Sequence, residues 1–147
     1  MGLKEAVGQG PVAVDTALFI YLIEENPRFL GPVRTLFSLA DKGEIEIVTS
    51  ALTLLEVLVV PLRIGDHRLA AQYDALLTRS RGLRVVDLTR EQLRTAARLR
   101  ALHGALRTPD ALQLAAAINT GCKLFVTNDR RMPELDGVRI LQLSEFV

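Results

Sequence analysis

Short apolar runs alternate with longer helical ones along the chain. Val12-Ala13-Val14-Asp15 reads as a short buried strand. Residues 16–25 follow with Leu18, Leu22 and Ile23 at helical spacing. Residues 27–42 put Phe29, Val33, Leu36, Phe37 and Ala40 on one helical face, with Gly43 as the stop signal. Residues 45–48 are rich in β-branched side chains and read as a second strand. Ser50 can cap a helix over 51–60, which Pro61 is expected to end or kink. Residues 66–79 form another helix, with Leu69, Tyr73, Leu76 and Leu77 on one side, and 83–88 a third strand. Thr89 is placed to cap a helix reaching about residue 102, with Leu93, Ala96, Ala97 and Leu99 apolar. Thr108-Pro109 marks one more helix start, threonine at the cap and proline at the first position, running through 117. Residues 123–127 and 138–143 supply the last two strands. Strands separated by helices, with no hairpin signal, predict an α/β domain over 1–147. Its mostly parallel sheet of about five strands has helices on both faces.

In such a sheet ligands bind beyond the carboxyl ends of the strands, near a topological switch point. Four acids fall where they would face that rim. Asp15 ends the first strand, and Asp129 follows the fourth by two residues. Asp110 lies in the first turn of the Thr108-Pro109 helix, and Glu56 in the second turn of the Ser50-capped helix. Each also has a structural reading. Asp110 suits a positive helix N-terminus, Asp129 an ordinary turn, and Asp15 a helix cap. Glu56 is the hardest to explain that way. Leu52, Leu54, Leu55, Val57, Leu58, Val59 and Val60 surround it in sequence, and a buried carboxylate without a partner is expensive. An arginine salt bridge is its structural alternative.

Composition narrows the field. The chain has 147 residues, 49% of them hydrophobic and 24% charged, the balance of one globular domain. A single cysteine, Cys122, excludes an intrachain disulfide and a cysteine-based zinc site, and fits a reducing, cytoplasmic setting. The opening residues carry acid and glycine where a signal peptide needs an apolar core, and no run is long enough to span a membrane. With only His67 and His103, a histidine-rich metal site or a Ser-His-Asp triad has little material. Tyr21 and Tyr73 read as packing residues.

The net charge of +1 argues against a uniformly basic coat, but the charges segregate. Residues 63–107 carry ten basic and four acidic residues, net +6; residues 1–62 are net −4 and 108–147 net −1. Arg90, Arg94 and Arg98 recur every four residues, as a solvated helix face or as a phosphate-tracking stripe. Arg107, three residues before Asp110, and Arg130, directly after Asp129, are the better placed phosphate contacts, with Arg94 a third.

Four segments carry a family resemblance. They are Val12-Ala13-Val14-Asp15-Thr16, Thr53-Leu54-Leu55-Glu56-Val57, Pro109-Asp110-Ala111-Leu112-Gln113-Leu114-Ala115-Ala116-Ala117 and Phe125-Val126-Thr127-Asn128-Asp129. In this order, over nearly the whole chain, they resemble the PIN-domain nucleases, most closely the VapC-like toxins of toxin–antitoxin pairs. The resemblance implies a three-layer α/β/α fold and a Mg2+- or Mn2+-dependent endoribonuclease cutting single-stranded or looped RNA. It makes Asp15, Glu56, Asp110 and Asp129 the catalytic, metal-holding acids, Glu56 through water, with one or two ions. Thr16, Thr127 and Asn128 would hold those acids in place. The resemblance also implies a homodimer and a small antitoxin, which the early helices with Phe19, Leu22, Phe29, Leu36 and Phe37 would contact. One departure is the tail of the last motif, where Arg130-Arg131-Met132-Pro133 lacks an aromatic. The alternatives are a solitary RNA-processing nuclease of the same fold, an inactive RNA-binding module, or a receiver- or phosphatase-like phosphoryl-transfer domain. The last would need an Asp-Asp pair after strand one, which is missing.

Overall fold

The computed structural model describes residues 2–147. Five parallel strands form one sheet: β1 (Val12–Val14), β2 (Ile47–Ser50), β3 (Leu83–Val86), β4 (Leu124–Thr127) and β5 (Arg139–Gln142), in the order β3-β2-β1-β4-β5. The order turns at β1, which lies between β2 and β4, so the crevice at its carboxyl end is the expected ligand position. A receiver-type domain has strand order 2-1-3-4-5. The observed order therefore removes the receiver-like reading.

The first strand is too short and too buried to show alternation outward. Val12, Ala13 and Val14 are all buried, Val12 and Val14 towards one face and Ala13 towards the other. On the Val12 side pack α1 (Leu3–Val7), α2 (Thr16–Ile23), α3 (Leu30–Asp41) and α5 (His67–Arg79), around Leu18, Phe19, Val33, Leu36, Tyr73 and Leu77. On the Ala13 side pack α6 (Arg90–Leu102) and α7 (Thr108–Asn119), through Ala96, Leu99, Ala111, Leu114 and Ala115. Helix α4 (Leu52–Arg63) spans the edge between them, with Leu54, Val57 and Leu58 joining the first core and Leu52 the second.

Several boundaries differ from expectation. Pro61 neither ends nor breaks α4, which continues to Arg63 with the buried ring inside it. Its missing N–H gives up one hydrogen bond and its ring crowds the carbonyl four residues back, and the helix closes two residues beyond it. Thr108 does not cap α7; Arg107 is the N-cap, and the Thr108 hydroxyl instead accepts from the Arg100 guanidinium at 3.0 Å. Helix α1 has no counterpart in the sequence pattern, because its five residues are too few to show a period. Strand β5 ends at Gln142, and Leu143–Phe146 turn into a 3-10 helix. Gly43 follows the end of α3 as expected, at φ 77°. Phe19 and Leu36 are fully buried, and Leu22, Phe29 and Phe37 lie against the same core. Phe19 and Leu36 thus serve the fold, while Leu22, Phe29 and Phe37 stay partly exposed beside it. Exposed apolar side chains lie on α4 and its end: Leu55, Val59, Val60, Leu62 and Ile64.

Candidate active site

Asp15 leaves the carboxyl end of the central strand and becomes the N-cap of α2. Its Oδ1 accepts from the Thr16 N–H at 2.8 Å, and its Oδ2 from the Thr127 hydroxyl at 2.8 Å. The capping reading and the site reading are therefore both true of the same side chain. Burial pushes its pKa up, the two hydrogen bonds pull it down, and the charges of Asp110 and Glu56 push it up again. Asp110 and Glu56 hence both act electrostatically on Asp15. The cause of the strain on Asp15 is desolvation first and like charge second.

Glu56 makes no salt bridge; among the described residues the ion pairs are Lys4–Glu44, Arg34–Glu25, Arg107–Asp110 and Arg131–Asp129. The Thr16 hydroxyl donates to Glu56 Oε1 at 2.7 Å. Asp110 pairs with Arg107, Nε to Oδ2 at 3.6 Å, as the spacing allowed. Asp129 is gripped by a residue not singled out from sequence. Arg131 donates Nε to Oδ1 and Nη2 to Oδ2, both at 3.0 Å, and its backbone N–H adds a third bond at 2.9 Å. That fork holds the Asp129 carboxyl below its usual range. Arg130 turns away to Ser144 Oγ at 3.3 Å, and Arg94 lies exposed on α6 without contact to an acid.

Thr127 and Asn128 shape the turn that presents Asp129. Thr127 Oγ1 accepts from the Asp129 N–H at 2.9 Å while donating to Asp15, so one hydroxyl joins the two acids. Asn128 Oδ1 accepts from the Ser144 N–H at 2.9 Å, and its Nδ2 donates to the Tyr21 hydroxyl at 3.3 Å. Tyr21 stacks on Phe29 with ring centroids 4.8 Å apart, the packing role expected.

Beneath the acids lies a buried polar network that no sequence motif announced. Gln113 Nε2 donates to Thr53 Oγ1 at 2.8 Å and to Thr16 Oγ1 at 3.2 Å. Gln113 Oε1 accepts from the Ser50 N–H at 3.3 Å. Thr53 and Thr49 share a bond at 2.7 Å, and Thr49 donates to the Val14 carbonyl at 3.2 Å. With both amide hydrogens of Gln113 engaged, Thr16 has its own hydrogen free for Glu56, and Thr53 has its hydrogen free for Thr49. The donors fork at Gln113: one branch runs through Thr16 to the Glu56 carboxylate, the other through Thr53 and Thr49 to the Val14 carbonyl. The network ties α7 to α2, α4 and β2. Only Gln113's place one turn after Asp110, on the same helix face, could have drawn notice.

The donor set is oxygen throughout, with no thiolate or imidazole, which suits a hard divalent cation. Among the described residues no three such side chains stand close enough together to form a metal-holding group as placed. Arg131 occupies one of the acids, Asp129.

A family model described as PIN domain matches residues 12–138. Among solved structures, a DNA-bound VapBC from Salmonella typhimurium gives a TM-score of 0.72 at 22% identity, covering 90% of this chain and 97% of the other. VapBC2 from Rickettsia felis, bound to a DNA fragment from its promoter, gives 0.71 at 17%, covering 89% and 97%. VapC20 of Mycobacterium tuberculosis, described as a sarcin–ricin loop cleaving toxin, gives 0.63 at 22%, covering 78% and 86%. At these identities the likeness is one of fold. Among curated proteins none matches the sequence significantly.

Proposed function

The chain belongs to the PIN domain family, and on that premise we propose that it is a divalent-cation-dependent endoribonuclease, the toxin of a toxin–antitoxin pair. The observation that carries the reading is the partly buried Asp15 at the end of β1, in the field of Asp110 and Glu56 and bonded through Thr127 to the turn bearing Asp129. Asp15, Asp110, Asp129 and Glu56 would hold Mg2+ or Mn2+. When bound, the cation would supply an activated water and neutralise charge on the phosphorus. Asp15 is fixed in one rotamer by its two hydrogen bonds, so its direction is set before anything binds. Glu56, accepting from Thr16, has its other oxygen available to orient a water. Arg107 and Arg131 neutralise Asp110 and Asp129 in the free protein. They are then at hand to take phosphate oxygens of an incoming strand.

Partners follow from the exposed apolar stripe. Leu55, Val59 and Leu62 recur at i, i+4 and i+7 along α4, beside Glu56. A homodimer or a small antitoxin covering this stripe would shield it next to the acids. The VapBC structures of like fold are toxin–antitoxin complexes, which supports an antitoxin as one occupant.

The test is expression of wild type beside Asp15→Asn, with purified chains then incubated with RNA, Mn2+ and excess chelator. Discrete cuts by the wild type with Mn2+, absent with chelator and absent in Asp15→Asn, are expected. Equal cutting by Asp15→Asn would refute the assignment.

A further inference from the structure

A short aromatic stack runs outward from the turn that carries Asp129. Tyr21 lies in the second turn of α2, the helix that Asp15 caps. Its hydroxyl accepts from Asn128 Nδ2 at 3.3 Å, and Asn128 directly precedes Asp129. Phe29, the N-cap of α3, lies on Tyr21 with ring centroids 4.8 Å apart and planes at 28°. Tyr21 fills one face of the Phe29 ring, so the Arg28 guanidinium, 5.1 Å from the centroid, lies over the other. Asn128, Tyr21, Phe29 and Arg28 thus stand in line. Both rings are partly exposed, and Arg28 is exposed.

Two groups in this line are uncommitted. Arg28 joins no ion pair among the described residues. The acids nearest to it in sequence are engaged elsewhere, Glu24 by the Tyr73 hydroxyl and Glu25 by Arg34. The second group is the Tyr21 phenol. The Ser144 N–H donates to Asn128 Oδ1, so the amide nitrogen is the atom that faces Tyr21. The phenol therefore receives a hydrogen bond there and keeps its own hydrogen to give. An exposed guanidinium holds an aromatic face only weakly, and a nucleobase stacked on the same ring gains more.

We infer that the outer face of Phe29 is a stacking platform for one base of single-stranded RNA. In the free protein Arg28 covers it. On binding, the base takes the ring and Arg28 moves to the phosphate beside that base. The Tyr21 hydroxyl gives its hydrogen to an oxygen of the same stretch of backbone. An apolar protein side chain could take the ring, but it would leave the guanidinium and the phenol hydrogen without partners; a nucleotide uses all three. Every base has a π face, so the platform sets where the strand lies and not which base it carries. Through Asn128 it is tied to the Asp129 turn, and it positions the strand for cutting without touching the scissile bond.

The platform presupposes the RNA-cutting reading, and the experiment separates the two without metal or cutting. In the Asp15→Asn background, with chelator present, short oligoribonucleotides carrying a central 2-aminopurine are titrated with protein. Quenching of the 2-aminopurine reports stacking, and anisotropy of an end label reports affinity against salt. Binding is expected to quench severalfold. Phe29→Leu is expected to abolish the quench and weaken affinity roughly 5- to 100-fold, the range of one base–aromatic stack. Phe29→Tyr is expected to restore both. Arg28→Ala is expected to keep the quench, since the ring is left uncovered, and to reduce the salt slope by about 0.7, one phosphate contact. It changes only an exposed side chain and serves if Phe29→Leu melts early. An equal quench in Phe29→Leu, or an unchanged slope in Arg28→Ala, overturns the platform and leaves the nuclease reading standing. No RNA binding by the Asp15→Asn chain overturns both. Loss of self-association in Phe29→Leu with RNA binding intact assigns the stack to a protein partner and also overturns it.

Discussion

Gln113→Leu tests the buried network directly. Leucine is close in size and keeps the helix propensity of α7, so the perturbation is mainly one of hydrogen bonding. Gln113 is 2% exposed, and water cannot easily replace it. The change removes donations to Thr53 at 2.8 Å and Thr16 at 3.2 Å, and strands the Ser50 N–H that Gln113 Oε1 accepts at 3.3 Å. A stranded buried donor costs about 1–3 kcal/mol and each broken bond about 0.5–1.5 kcal/mol. Both threonines keep other partners, so the sum is about 3 kcal/mol. For a chain of this size, at roughly 2–4 °C per kcal/mol, the melting temperature falls by roughly 6–12 °C. Thermal unfolding by circular dichroism reads it, and a cycle with Thr53→Val sharpens it. Removing both partners leaves fewer orphaned groups, so the double variant should lose less than the two single losses added. A loss under about 0.5 kcal/mol, typical of surface substitutions, would show that the network contributes nothing and refute the reasoning.

Asp15→Asn should fold, and at neutral pH melt at or above wild type while losing nuclease activity. Burial and two neighbouring acids already push the Asp15 pKa up, and asparagine keeps the cap without the charge; a melting point several degrees lower would contradict this. Millimolar Mn2+ should raise the wild-type melting temperature, by about 2.7 kcal/mol of stability at a hundred times the dissociation constant, and should do nothing for Asp15→Asn. Arg131→Ala should show a larger Mn2+ shift than wild type, because the bidentate partner of Asp129 is gone; an equal or smaller shift in scanning fluorimetry removes the counter-ion role. Val59→Asp should leave the melting temperature nearly unchanged but weaken self-association or antitoxin capture in sedimentation, since the side chain is exposed.

Most helices were legible because their periods are long and their caps explicit, and the five strands because short apolar, β-branched runs lie between those helices. Thr89 caps α6 and Asp66 caps α5 through the side-chain bonds their types suggest. Short or crowded features were not. Five residues of α1 show no period, and Pro61 near a helix end does less than proline usually does. The positions of the acids on the rim were legible, and so were Thr16 and Thr127 beside them, but not the Arg131 fork or Gln113. Arg131 and Asp129 are two residues apart in a turn, where backbone geometry alone decides whether the fork closes. Gln113, Thr49 and Thr53 come from three elements, and only the packed fold shows that they touch. On α2 and α3 the sequence does not separate core from surface: Phe19 and Leu36 are fully buried, while Leu22, Phe29 and Phe37 are only partly so.

The strand order has a consequence in time. β1 is made early, yet its inner neighbour β4 is made late, and 114 residues separate Asp15 from Asp129. At 5–20 residues per second the ribosome takes roughly 6–23 s to pass from one to the other. Until Thr127 arrives, Asp15 lacks half its hydrogen bonds and β1 lacks a wall. A chain still being translated therefore carries the first acid but no assembled site.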